Sequence, residues 1–350
     1  MKVGLDATPL LGTRTGIGNY VAGLLDGFVS LGVPPPVLTA FTWRGVDALP
    51  EGWPRAPRRF SARVLQAAWL RTDWPPVEWL TGRLDVFHGT NFVLPPARRA
   101  RGVVTVHDLA YETHADTVTP ASLRYRTLVP RALYRGAICL TPSRTVADEV
   151  RDRYSVDPAR VVPTPLGVSP FWYGPHAAPE GLPGEYVVFV GSREPRKNLP
   201  VLLDALRLLP DAPPLVLVGP RGWGADVDPS RVVLAGYLDG PRLASVVAGA
   251  RAFVFPSRYE GFGLPPLEAL AAGTPVVASD LPVLREVLGD RASYAPAGDA
   301  EALAAAIAQA LHDGDGGVAG RAARAAHAAA YTWERCARAT LDAYALASAG

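Results

Sequence analysis

Two glutamates, Glu260 and Glu268, are separated by seven residues in PSRYEGFGLPPLEALAAGTPVVAS, residues 256–279, with Gly261, Gly263, Pro265 and Pro266 between them. The run RAFVF before them reads as a strand, PSRYEGFG as a loop and LPPLEALAA as a helix. A proline suits the first turn, where the missing N–H costs nothing, and Gly273 suits the residue after the helix end. A helix start presents free N–H groups and about half a positive charge, so it attracts phosphate. Gly261 and Gly263 let a ligand approach the backbone closely. Glu268 falls one turn into the helix, about 5 Å along its axis. That offset suits a ribose, whose two hydroxyls one carboxylate can accept together. Glu260 lies on the other side of the phosphate position, within reach of a sugar attached there. A capping acid followed by a solvated helix acid is the competing account of the pair.

A second junction, VGSREPRKNLPVLLDAL at 190–206, ends a strand at Gly191 and crowds Arg193, Arg196 and Lys197 at a helix start. Asn198 can cap that helix and Pro200 fits its first turn. Cations there oppose the helix dipole, so a bound anion explains them better than local stability does. Lys197 is one of only two lysines, the other being Lys2. A third junction, GTRTGIGNYVAGLL at 12–25, places Gly16 and Gly18 ahead of a helix. It is part of a dinucleotide fingerprint without the third glycine.

These junctions need strands that end at one edge of a sheet and helices that start there. The chain supplies them. KVGLD, VLTAF, LDVFH, GVVTVH and AICLT in the first half, and YVVFV, LVLVG, RVVLAG, RAFVF and PVVAS in the second, are short apolar runs separated by helical patterns. That alternation predicts an α/β fold with doubly wound parallel sheets. The Pro- and Gly-rich stretch 163–184 reads as the interdomain connection. Two Ala-rich helices, AEALAAAIAQALHD and YTWERCARATLDAYALAS, close the chain, with HDGDGGVAG read as a loop between them.

The 350 residues suit about two domains, and 49% hydrophobic with 19% charged residues excludes a disordered chain. Residues 1–167 carry 20 Lys+Arg against 14 Asp+Glu, whereas the remainder carries 15 against 19. The basic half suits an anionic acceptor or a membrane surface, and equally an Arg-rich solvated face. Cys139 and Cys336 cannot build a disulfide framework and read as buried apolar residues of a reducing compartment. With neither a signal peptide nor a spanning run, the expectation is a cytoplasmic protein that contacts the inner face of the membrane at most peripherally. Trp53, Trp69, Trp74 and Trp79 lie among five arginines within 53–80. Such a mixture can dock at a bilayer or hold a lipid-linked acceptor. Core tryptophans beneath a basic face are the favoured reading.

Together GIGNYV, DVFHGTNFVLP, VVTVHDL, TPSRTVADEV, GSREPRKNL, the Glu260–Glu268 segment and YTWERCARATL resemble the retaining GT-B glycosyltransferases of the glycogen-synthase-like family four, the bacterial group 1 enzymes. The resemblance spans nearly the whole chain. It implies two Rossmann-like domains facing a central cleft, residues 1–167 on the acceptor side and 168–330 binding a nucleotide sugar. The last helix, about 331–350, would cross back to the first domain.

By that resemblance Glu268 would bind the ribose, and the backbone of Gly261, Phe262, Gly263 and Leu264 the diphosphate. Glu260 would contact the transferred sugar, and Lys197 with Arg196 or Arg193 would neutralise the leaving diphosphate. Gly16 and Gly18 would close on it, His107 would touch the donor sugar, and Tyr237 would meet the base through its main chain. Many members place an arginine directly after the glycine that ends the first C-domain strand; here Ser192 stands there and Arg193 follows.

The expected partners are a nucleotide-sugar donor and a glycan, lipid-linked or secondary-metabolite acceptor, with no nucleic acid, no cofactor and no metal. The sugar would be mannose-like or glucose-like. Asp226 and Asp228 form an Asp-x-Asp that reads as a solvated turn. His88 would line the cleft, whereas His114, His176, His312 and His327 read as surface or structural residues. A nucleotide-sugar epimerase and a two-lobed sugar-binding protein are the rival readings. A dehydrogenase is disfavoured by the incomplete glycine fingerprint. A glycosidase pair made of Glu260 and Glu268 fits poorly, because such carboxylates flank one bond about 5 Å apart.

Overall fold

The computed structural model describes residues 1–349 except 13, 15, 44, 46–48, 221 and 223–231. Asp226 and Asp228 therefore lie outside the described residues. The chain divides into two compact units, Met1–Gly167 with Thr332–Gly350, and Val168–Tyr331.

The first unit carries strands β1 (Val3–Asp6), β2 (Val37–Thr39), β3 (Val86–Gly89), β4 (Arg101–Thr105), β5 (Ile138–Thr141) and β6 (Val161–Pro163) in the order β2-β1-β3-β4-β5-β6. Every pairing is parallel. Helices cover such sheets on both faces, which is why β3 and β5 are apolar without alternation and buried throughout. The helices are α1 (Gly16–Ser30), α2 (Ala62–Trp69), α3 (Glu78–Thr81), α4 (Ala110–Thr113), α5 (Tyr125–Tyr134) and α6 (Arg144–Tyr154).

The second unit repeats the plan with β7 (Val187–Val190), β8 (Leu215–Val218), β9 (Val232–Gly236), β10 (Ala252–Phe255), β11 (Val276–Ser279) and β12 (Ala292–Ala295), ordered β12-β11-β10-β7-β8-β9. Its helices are α7 (Leu199–Arg207), α8 (Gly240–Ala248), α9 (Leu264–Ala271), α10 (Pro282–Leu288), α11 (Ala300–Asp313) and α12 (Gly317–Ala328). The last helix, α13 (Trp333–Ala349), belongs to the first unit.

Strand order reverses beside β1 in the first sheet and beside β7 in the second. In open α/β sheets ligands bind outside the carboxyl ends of the strands at that reversal. In the second unit the switch lies between β7 and β10, the two strands that feed the basic turn and the Glu260 loop.

Strands β6 and β12 fall outside the apolar runs named above. Both are sheet edges; β6 is only Val161–Pro163 and runs into the proline-rich stretch, and β12 carries Ser293 and Tyr294. The expected loop at 312–320 is mostly helix, since α11 runs to Asp313 and α12 starts at Gly317. Alanine-rich sequence sustains α12 despite its glycines. Helix α13 packs against α1 because α1 offers Gly23 and Gly27. A Cβ at Gly23 would come within 2.1 Å of the Trp333 ring, and one at Gly27 within 2.4 Å of the Trp333 carbonyl. Among the described residues no helix is long and apolar enough to cross a membrane.

Candidate active site

The basic turn and the Glu260 loop meet at the switch point of the second sheet. After β7 the chain makes a 3-10 turn, Pro195–Lys197, and enters α7. Lys197 Nζ donates to Glu260 Oε1 at 2.7 Å, and Arg196 donates to Glu260 Oε2 at 3.0 Å and to the Tyr259 carbonyl at 2.9 Å. The Arg258 N–H donates back to the Arg196 carbonyl at 2.9 Å, so backbone as well as charge ties the loops. Lys197 Nζ also lies 4.7 Å from the centre of the Phe255 ring, at the end of β10.

Lys197 and Glu260 are both buried, so the basic turn is not a solvated one. Burial pushes the Glu260 carboxyl up, but the charges of Lys197 and Arg196 outweigh it and hold the group at about 2. Burial pulls the Lys197 ammonium down from its usual range, opposed by Glu260. An ionised buried pair persists only when hydrogen bonds complete it, as Arg196 does here.

Asn198 does not cap α7 as expected. Its φ is +55°, its side chain makes no capping bond, and Nδ2 is buried without a partner.

Gly261, Phe262, Gly263 and Leu264 form the entrance to α9. Gly263 precedes the helix at φ +92°, a conformation that strains any residue with a Cβ, and a Cβ there would meet Leu284 Cδ2 at 2.5 Å. Phe262 turns its ring onto Tyr331, 5.9 Å between centres, so its side chain anchors the loop. Glu268 is one turn into α9 and half-buried. Burial pushes its carboxyl up to about 8, opposed by the indole of Trp172. Glu260 is held by Lys197 and Arg196, whereas Glu268 has the Trp172 side chain beside it.

Arg193 does not join the Glu260 cluster. It lines a cavity of about 280 Å³ at the carboxyl ends of β7, β8 and β9, with Phe189, Gly191, Leu217, Val218, Gly219, Pro220, Leu234, Gly236 and Tyr237. Tyr237 is 51% exposed at its rim. Leu217, Gly219 and Leu234 were not among the residues singled out from sequence. Leu217 and Gly219 mark the end of β8, the strand beside β7, whereas Leu234 lies in the middle of the edge strand β9, where no sequence signal pointed to a site. Gly219 passes so close to the β7 turn that a Cβ would lie 2.4 Å from the Gly191 carbonyl.

The remaining candidates belong to the first unit. Gly16 and Gly18 lie inside the first turn of α1 rather than ahead of it. Gly16 faces open space, whereas a Cβ at Gly18 would meet the Pro9 carbonyl at 2.7 Å. Gly18 therefore has a packing reason for being glycine. His107 follows β4, hydrogen-bonds through Nε2 to the Thr90 carbonyl at 2.8 Å and is flanked by the edges of Tyr20 and Phe92. Burial holds its pKa below the usual range, against the Thr90 hydrogen bond and the Asp108 charge.

His88 does not line a ligand site. It is fully buried, bonded to Tyr344 Oη and Thr105 Oγ1 at 2.7 Å each, and burial holds it down at about 3. Its role is to tie α13 to the sheet.

The family profile described as glycosyl transferases group 1 matches residues 184–313, and the one described as glycosyltransferase family 4 matches residues 14–171. The O-antigen chain mannosyltransferase B of Escherichia coli is 35% identical over 284 residues, covering 75% of this chain and 74% of its own. The D-inositol 3-phosphate glycosyltransferase of Actinosynnema mirum is 32% identical over 305 residues, covering 76% and 70%. Among solved structures, sucrose-phosphate synthase from Thermosynechococcus elongatus superposes with a TM-score of 0.76 at 21% identity, over 99% of this chain and 98% of that one. The Anabaena protein HepE, solved with UDP-glucose, superposes at 0.72 and 17% identity, over 98% of each. The two Rossmann-like units are those of the GT-B fold, and the chain belongs to the group 1, family 4 glycosyltransferases.

Proposed function

We propose that this glycosyltransferase moves a hexose, mannose-like or glucose-like, from a nucleoside-diphosphate sugar to a glycan, lipid-linked or secondary-metabolite acceptor. It does so with retention and without a metal. It acts in the cytoplasm and, on a lipid-linked acceptor, at the inner face of the membrane. The observation that carries this reading is the buried Lys197–Glu260–Arg196 cluster beside the start of α9. It places fixed positive charge, helix N–H groups and a carboxylate where a diphosphate and its sugar would meet.

In this reading the bond between the anomeric carbon and the diphosphate oxygen breaks, and negative charge builds on that oxygen. Lys197, Arg196 and the backbone N–H groups at Gly263 and Leu264 stabilise it, and such preorganised charge is commonly the largest catalytic contribution. Two fixed cations supply what a divalent ion would otherwise supply. Glu260 accepts from hydroxyls of the transferred sugar. The departing phosphate takes the acceptor's hydroxyl proton as the acceptor oxygen attacks the same face of the sugar. His107 approaches the donor sugar, and Gly16 and Gly18 serve the diphosphate. Glu268 takes the ribose hydroxyls, and the cavity lined by Arg193 and Tyr237 takes the base. Its apolar walls suit a flat ring and its volume suits one small ligand group. The E. coli relative's description as a mannosyltransferase of an O-antigen chain supports the sugar and acceptor class.

The test is a thermal-shift panel with UDP, GDP, ADP and TDP. The nucleotide sugar of the best-matched base is then incubated with candidate acceptors, with and without EDTA, and the product's anomeric configuration is read by NMR. A shift with one nucleotide, unaffected turnover in EDTA and a retained anomer support the reading. No shift with any of the four overturns the donor, and an inverted product overturns retention.

A further inference from the structure

The tryptophans of residues 53–80 differ in burial, and Trp53 is half-buried. Trp69 is fully buried, with its indole donating to the Pro75 carbonyl at 3.0 Å. The favoured core reading fails for its neighbours: Trp74 is 60% and Trp79 37% exposed, and Trp43 joins them at 63%. These rings are not scattered. Trp43 meets Phe60 at 5.8 Å between centres, Phe60 meets Trp79 at 5.6 Å, and Trp79 meets Trp74 at 6.3 Å. Single exposed apolar residues are ordinary on a soluble surface, but a connected run of four rings is an interaction patch.

The patch is basic. Arg58 lies over the Trp79 ring at 5.7 Å and donates to its carbonyl at 2.6 Å, and Arg59 and Arg63, close to it and to Phe60 in the chain, are exposed. Among the described residues these three arginines have no carboxylate partner. The nearby acids are already engaged. Asp73 is bridged by Arg131 and Arg135 at 3.0 Å each, and the Glu78 carboxylate accepts the backbone N–H groups of Arg98, Arg99 and Ala100.

We propose that the Trp43–Phe60–Trp79–Trp74 cluster, with Arg58, Arg59 and Arg63, is a docking surface for an anionic lipid bilayer. Indole rings settle at the headgroup level, where one end is apolar and the other wet. Arginines beside them meet lipid phosphates, each cation contributing about fivefold in partitioning to an anionic surface. A second copy of this chain fits less well, because a two-fold contact would set the same arginines against themselves. The proposal does not rest on the transfer reaction, and its readout is independent of it.

The full chain is sedimented with phosphatidylcholine vesicles, with and without phosphatidylglycerol, across a salt series. Binding to the anionic vesicles and its loss at high salt are expected. Arg59→Glu with Arg63→Glu should weaken that binding roughly thirtyfold or more, and Trp43→Ser with Trp74→Ser about tenfold. Both variants should keep the wild-type Tm; should the charge reversal lower it, Arg59→Gln with Arg63→Gln replaces it and should weaken binding about twenty-five-fold. No binding to anionic vesicles, or binding unchanged in the variants, overturns the proposal. So does a dimer in vesicle-free solution that these variants dissociate, which would assign the patch to self-association.

Discussion

Lys197 Nζ and Glu260 Oε1 lie 2.7 Å apart although 62 residues separate them in the chain. One residue ends the turn after β7 and the other sits in the loop after β10, and these strands are neighbours at the reversal of strand order. The pair therefore exists because of the sheet's topology, and both charges are withdrawn from water on the strength of it.

Lys197→Ala should lower turnover about a hundredfold, corresponding to about 3 kcal/mol of lost transition-state stabilisation. It also leaves Glu260 buried with Arg196 alone, so a loss of about 2–3 kcal/mol in stability is expected. Kinetics measured well below the variant's own melting temperature separate the two effects. Wild-type turnover in a folded variant would remove Lys197 from the mechanism.

Glu260→Gln and Glu268→Gln should differ in kind. The first should lower kcat strongly with little change in nucleotide affinity. The second should weaken nucleotide binding about tenfold, through the loss of the hydrogen bonds between its carboxyl and the ribose hydroxyls. Calorimetric titration with the preferred nucleoside diphosphate and steady-state kinetics read the two. Identical wild-type behaviour in both variants would reject the assigned roles.

Glu268 makes stability pH-dependent in a direction opposite to the usual carboxylate. Burial raises its pKa from the usual 4.5 to about 8, so between those values the folded chain holds a proton that the unfolded chain has released. Its contribution is fully present below pH 4.5 and is lost as pH rises through 8. Glu268→Gln should accordingly raise the Tm at pH 8, by about 1–3 kcal/mol in stability, with the gain shrinking towards pH 4.5. Thermal melts of both proteins across that range check the slope.

The buried His88 works in the other direction. Its pKa falls from 6.5 to about 3, so its contribution is present above 6.5 and is lost as pH falls towards 3. Tyr344→Phe removes the hydroxyl at 2.7 Å from Nδ1 and should cost about 1–3 kcal/mol by leaving a buried nitrogen unpaired. Denaturant unfolding at neutral pH measures it, and an unchanged midpoint would show that His88 does not hold α13 to the sheet.

Gly219→Ala should damage the cavity specifically. A Cβ would lie 2.4 Å from the Gly191 carbonyl at φ +135°, so the β7 turn must shift or the variant must carry about 1–3 kcal/mol of strain. Nucleotide binding should fall more than the Tm does. A fully retained affinity, measured by the same titration, would show that the cavity does not hold the base.

Much of this was legible in the chain. Ten of the twelve strands among the described residues stand out as apolar runs, because parallel strands buried on both faces cannot alternate. The two that do not, β6 and β12, are edges. The proline-bearing helix starts and the left-handed Gly263 follow from backbone chemistry that acts within a few residues. Such local rules let α9, Glu260 and Glu268 be placed in order before any coordinates.

Side-chain destination was less legible. Lys197, Arg196 and Arg193 look alike in one short basic turn, yet two bind Glu260 and the third lines the cavity. Trp69, Trp74 and Trp79 share one segment, yet only the first is buried. His88 follows the strand pattern that suggested a ligand-facing residue, yet Tyr344, 256 residues away, claims it. Periodicity and turn chemistry are properties of neighbouring residues, so the sequence alone determined the α/β plan, the junctions and the identity of the charged groups. Which cation meets which carboxylate, and which ring faces water, depends on groups brought together by strand order and helix packing, and only the tertiary structure decided that.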